Sequence, residues 1–116
     1  MHNRPKSFSA GDLTRRATLL EPVQRRDKDG QIIQGYADRG TVWANLLPLR
    51  GGESVMQARM ESRNPAIVTV RASPLTRSVT SEWRVTIDGR EYDVKEDPRE
   101  TQDRAFLEFL VEARDR

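Results

Sequence analysis

Glu96, Asp97 and Glu100 come nearest to a chemical site in this sequence, because neighbouring carboxylates can share a proton in acid-base work or hold a hard cation. They stand in a charge-dense stretch around Pro98, residues 95–104, where a solvated loop explains them better than a reactive centre. No other set competes with them. The single histidine is His2, and there is no cysteine, so imidazole sites, thiolate metal sites and disulfides all lack their ligands. No nucleophile stands with a base and an orienting group. The sequence therefore points away from an enzyme and calls for no cofactor and no metal.

The remaining polar clusters suit recognition. Gln24 is followed by the five charged residues Arg25, Arg26, Asp27, Lys28 and Asp29, and Asp29-Gly30 is a turn signal. Charged loop tips held on a rigid scaffold commonly carry contacts. A second cluster, residues 53–63, places Met56 and Met60 four apart on one helical face, with Glu53, Gln57, Arg59, Glu61 and Arg63 on the other. A methionine pair at that spacing is better explained by packing on a sheet than by ligand binding.

These clusters need a framework, and length and composition bound it. At 116 residues the chain is one domain by size; 35% hydrophobic against 33% charged residues means a thin core under a charged surface, for which oligomerisation is a natural complement. Lys and Arg number 20 against 18 for Asp and Glu, so the formal charge is only +2 despite a pI near 9.4. That is not the charge of a sequence-independent DNA coat. No stretch approaches the roughly 18 apolar residues that span a bilayer, and no apolar signal-peptide core is present, so neither a membrane partner nor export by that route is expected. Residues 1–9 form a polar, basic arm containing Arg4, Pro5 and Lys6 ahead of one domain at 10–116.

The framework is predicted to be β. Ser9 can cap a short turn over 10–13, and residues 16–20 read as a strand that Pro22 ends. The charged cluster is then the tip of a long hairpin returning over 31–38. Residues 41–47 form a strand with Val42, Ala44 and Leu46 on one face and Thr41, Trp43, Asn45 and Leu47 on the other, stopped by Pro48. Trp43 fits either core packing or an interface. Residues 66–71 are a further strand stopped by Ser73-Pro74. In 82–95, Trp83, Val85 and Ile87 alternate, Asp88-Gly89 supplies a type I′ turn, and Tyr92 and Val94 alternate on return, so that Val85 faces Tyr92 and Trp83 faces Val94. Residues 106–113 close the chain, with Leu107, Phe109 and Val111 inward and Glu108 and Glu112 outward. Six to seven short strands with one inserted helix or long loop after Val42-Trp43-Ala44 suggest a mainly β chain folded as a small antiparallel barrel.

Taken in order, Gly11-Asp12-Leu13 with Arg16, Asp29-Gly30, Thr41-Val42-Trp43-Ala44, Gly52-Glu53, Val68-Thr69-Val70-Arg71 and Asp88-Gly89-Arg90-Glu91-Tyr92-Asp93-Val94 resemble the phage head-tail joining proteins, also called head closure or stopper proteins. The resemblance spans about residues 10 to 113 and lies in order and spacing, since no single motif is specific. The basic arm and the charge of residues 97–104 depart from the family pattern.

The resemblance implies a virion connector: a hexameric or dodecameric ring of this chain beneath the portal and head-tail adaptor, retaining packaged double-stranded DNA and offering a platform to a tail terminator or tail tube protein. The particle would be a tailed phage or a phage-like gene-transfer particle, with the protein passing through the host cytoplasm during assembly. A ring needs two different patches on each copy. Within that reading, Arg50, Arg59 and Arg63 are candidate phosphate contacts in the channel, and Glu53 and Gln57 candidate contacts between subunits. Arg25, Arg26, Asp27, Lys28 and Asp29 are candidates for contact with the adjacent ring. The rival reading is a small β-barrel nucleic-acid-binding module, which should interleave exposed aromatics with Lys and Arg. Only Trp43 and Tyr36 are available for that.

Overall fold

Period-two alternation of β-branched and aromatic residues becomes seven strands in the computed structural model, which describes residues 9–49 and 64–114. A 3-10 turn at Ala10–Asp12 precedes β1 (Arg15–Arg26), β2 (Ile32–Pro48), β3 (Pro65–Arg71), the short helix α1 (Pro74–Arg77), β4 (Arg84–Ile87), β5 (Arg90–Val94), β6 (Arg99–Glu100) and β7 (Phe106–Ala113). The strands form one antiparallel sheet in the order β3-β2-β1-β4-β5-β7-β6, and β7 also pairs with β3, so the sheet closes in a ring. This is the mainly β, closed architecture that the strand pattern suggested.

The core fills the ring. Ala17 and Leu19 of β1, Ala44 of β2, Val68 and Val70 of β3, Val85 and Ile87 of β4, Val94 of β5 and Phe109 and Val111 of β7 are buried. Closure sets Val68 opposite Phe109 and Val70 opposite Leu107. Full burial of side chains of this size contributes about 1.5–3 kcal/mol each.

The β4–β5 hairpin follows its sequence pattern closely. Asp88 and Gly89 take φ of 53° and 81°, as a type I′ turn requires. Val85 pairs with Tyr92, and the Val94 amide donates to the Trp83 carbonyl. Trp83, Val85, Ile87, Tyr92 and Val94 are all buried. The inward set of β7 is likewise as expected, but Phe106 and Leu110 are buried as well, so its second face is not a solvent face.

Three expectations are corrected. First, β1 does not end at Pro22. It runs on to Arg26, with Pro22 opposite Tyr36. Only residues 17–20 of β1 pair with β4, so beyond Leu20 the strand has an open edge, where a proline removes no ladder bond. Second, the return limb and the Trp43 strand are one strand, β2, continuous across a bulge: Leu19 faces Gly40 and Leu20 faces Asp38, leaving Arg39 as the extra residue. Gly40 has φ 139°, and a Cβ there would lie 3.1 Å from Leu75 Cδ2. Third, the 95–104 connector is structured and includes β6, which pairs Arg99 with Glu108 and Glu100 with Leu107. Ser73-Pro74 does follow the end of β3 at Arg71, as expected, and it also starts α1: the Ser73 hydroxyl accepts from the Thr76 amide, and Pro74 occupies the first helical position. The inserted helix expected over 53–63 lies outside the described residues, as does the arm apart from Ser9.

Candidate functional site

The bulge divides the β1–β2 pair into a part built into the ring and a free ribbon. Six residues of β1 follow Leu20, which at about 3.3 Å each carry the ribbon about 20 Å past the last pairing with β4. A clamp sits at its root. Arg39 Nε donates to Glu21 Oε1 at 2.8 Å, and the Arg84 guanidinium lies 4.0 Å from the centroid of the Tyr36 ring. Arg84 also approaches Asp93 Oδ1 at 3.4 Å, while its Nε is buried without a hydrogen bond.

At the tip, the five candidate contact residues divide by role. Asp27 builds the turn: one carboxylate oxygen accepts from the amides of Asp29 and Gln31, both at 2.9 Å, and its own carbonyl accepts from Gly30. Arg26 Nη1 donates to the Gly30 carbonyl at 2.7 Å. Arg25 lies across Gly35, where a Cβ would stand 3.0 Å from its Nε. Arg25 and Arg26 are strand residues, and only Lys28 and Asp29 project from the turn without a partner among the described residues. Sequence reasoning missed the apolar companions of this cluster. Ile32 and Ile33 are 58% and 45% exposed, one on each face of the ribbon. Their adjacency after a turn signal was the available clue.

The opposite end of the molecule carries the stems of the second candidate cluster. β2 ends at Pro48 opposite Ala66, and the Leu49 amide donates to the Pro65 carbonyl at 2.9 Å. The Asp88-Gly89 turn is at this end too, with Asp88 paired to Arg15. Arg50, Glu53, Gln57, Arg59 and Arg63 themselves lie outside the described residues.

A third surface appears on the outside of β2. Trp43 is 52% and Leu47 54% exposed, which assigns Trp43 to the surface. The Arg16 guanidinium sits 4.7 Å from the Trp43 ring centroid. Asn45 donates to the Asp12 carbonyl at 3.3 Å, holding the N-terminal turn over the strand. Between that turn and Trp43 opens a cleft of about 700 Å³, with Ala10, Gly11, Leu13 and Val42 among its walls and Arg71 at its rim. Nothing in the local sequence signals it, since its walls come from three separate segments.

The carboxylates near Pro98 prove to be structural. Asp97 accepts from the Ser81 amide at 2.9 Å. Glu100 accepts from Arg77 Nη1 at 2.6 Å, a hydrogen bond that holds its carboxyl below the ordinary value. Asp103 is held low by the Ala105 amide and then by the Thr101 hydroxyl, both bonded to the same oxygen, Oδ1. No group of three potential metal ligands occurs among the described residues. The geometry places exposed surfaces at both ends and on one side.

Two solved structures share the fold. Protein SF1141 from Shigella flexneri 2a superposes with a TM-score of 0.72 at 21% identity, covering 91% of this chain and 96% of the other. A chain from the virion of a native gene transfer agent particle superposes with a TM-score of 0.60 at 23% identity, covering 96% of this chain and 98% of the other. Among curated proteins none matches the sequence. Residues 8–114 match the phage head completion proteins, a structural family of the virion. With its closed β framework and this match over most of its length, the chain belongs to the phage head completion protein family.

Proposed function

We propose that this protein closes the filled head as a ring beneath the portal and adaptor, retains the packaged double-stranded DNA and receives the tail. The observation that carries this reading is the match to the head completion family over residues 8–114, and the polarity of the molecule supports it. The ribbon tip leaves one end of the closed sheet and the stems of the 49–64 connection leave the other, so one subunit can address neighbours on both sides of a ring. Within this reading the tip, through Lys28 and Asp29 with Arg25 beside them, meets the adjacent ring. Arg50, Arg59 and Arg63 meet DNA phosphates in the channel, while Glu53 and Gln57 contact neighbouring copies.

The small nucleic-acid-binding module is less well supported. Its two available stacking residues are already engaged: Arg84 covers one face of Tyr36 and Arg16 one face of Trp43.

The test is assembly. Particles made without this protein should package DNA, lose it and remain tailless, and adding the purified chain to freshly filled heads should restore retention and tail joining. Heads that keep their DNA and take tails without it would overturn the reading. Deleting residues 55–61 separates the roles, since DNA release with normal ring uptake is expected if that segment closes the channel.

A further inference from the structure

The exposed isoleucines at the ribbon tip and the cleft beside Trp43 lie on one strand. Nine residues separate Ile33 from Val42, about 30 Å at strand rise, and the ribbon points away from the body. A copy's own tip therefore cannot reach its own cleft. The two features are nevertheless complementary. The tip offers Ile32 and Ile33 with one carboxylate, Asp29, not engaged by the turn. The cleft offers apolar walls at Leu13, Val42 and Trp43. Beside it stand the guanidiniums of Arg16 and Arg71, each resting on an aromatic ring, with no carboxylate partner among the described residues.

The backbone adds a second complement. β3 pairs with β2 only from Ala44 onward, so Thr41 to Trp43 pair with β1 alone and leave an edge without a ladder partner next to the cleft. Size agrees as well. Residues 21–38 form a ribbon of the order of the 20–30 residues that each side of a stable interface contributes. An isolated two-stranded ribbon is marginal in water, and this one has apolar residues on both faces: Val23 and Ile33 on one, Pro22, Tyr36 and Ile32 on the other.

We propose that the ribbon tip of one copy seats in the Leu13–Val42–Trp43 cleft of a second copy, Ile33 entering the apolar walls and Asp29 meeting Arg71 or Arg16. The contact joins two different patches, so it is heterologous and repeats from copy to copy until rotation closes it. It deepens the ring reading by naming the joint, moves Asp29 from the adjacent ring to the neighbouring copy while leaving Arg25 and Lys28 to that ring, and rests on the ring reading only for the closure.

The absence of cysteine makes the test clean. Ile33→Cys and Thr14→Cys place thiols on the tip and at the exposed cleft wall. The double variant, oxidised free in solution and on filled heads, should give a ladder of covalent multimers in at least one setting. Mixing the two single variants should stop at dimers containing one of each. Adding Asp29→Arg to the tip chain, or Trp43→Ala to the cleft chain, should cut the mixed product at least tenfold while leaving the thermal midpoint unchanged.

Monomer in both settings overturns the proposal. So does efficient Ile33–Ile33 cross-linking by the single variant, which means symmetric edge pairing, and so does cross-linking of Thr14→Cys to a different virion protein. Wild-type uptake by filled heads is scored separately. Uptake without the ladder removes this joint and leaves head closure standing, whereas a ladder in solution without uptake does the reverse.

Discussion

Two hairpins of this molecule share a motif and differ in fate. The β4–β5 hairpin has a two-residue turn, keeps its large apolar residues on one face and buries that face in the ring. The β1–β2 hairpin starts in the same ring, passes a bulge at Arg39 and continues as a ribbon whose apolar residues are divided between both faces. A strand pair with one apolar face is satisfied by one core. A pair with two such faces and open edges is not satisfied by its own chain, and that difference makes the ribbon the candidate contact surface of the two.

The same substitution on each hairpin should break the comparison most sharply. Val85→Asp puts a charge into the closed core and is expected to cost more than about 4 kcal/mol, enough to prevent folding. A folded Val85→Asp protein with an unchanged circular dichroism spectrum would mean the ring is not the core. Glycine turns give the next effect. Gly89 and Gly30 have φ of 81° and 82° with open space around both. Replacement by alanine costs about 1–2 kcal/mol of backbone strain at either site. For Gly89 this should lower the global denaturation midpoint, whereas for Gly30 it should appear only as faster amide exchange in residues 24–34.

Acid should act at the ribbon-root end. The folded values of Glu100 and Asp103 lie below their ordinary ones, so the stability they add is present above the ordinary carboxylate range and is lost as pH falls through the depressed values. Amide exchange of residues 99–106, corrected for intrinsic rates, should stay flat near neutral pH and rise below about pH 4. Flat protection down to pH 2 would assign the connector's order to its backbone bonds alone. The smallest stability effect is predicted for Ile33→Asp, within about 0.5 kcal/mol of the parent by denaturant titration, even though it should abolish the contact proposed between copies.

The central strands could be read residue by residue. Alternation placed Val42, Ala44 and Leu46 inward, set the β4–β5 register and chose the inward face of β7, because each pattern sits within one strand or one tight turn. Pro22 misled because a proline breaks a ladder only where its amide is needed, and which edges are open depends on strands far away in sequence. The hairpin limb and the Trp43 strand were split because a bulge interrupts alternation without ending a strand. Of the candidate contacts, the charged tip was legible, but the engagement of Asp27 and Arg26 in the turn, and the cleft, were not.

By itself, then, the sequence determined a mainly β chain and a turn-centred register, since residue type and local period suffice for these. Only the tertiary structure decided that the sheet closes through β3 and β7, that Trp43 is outside, and that the ribbon tip stands apart from the cleft. Those outcomes depend on which strands become neighbours, and pairing between residues tens of positions apart follows from burying one shared core rather than from any local pattern.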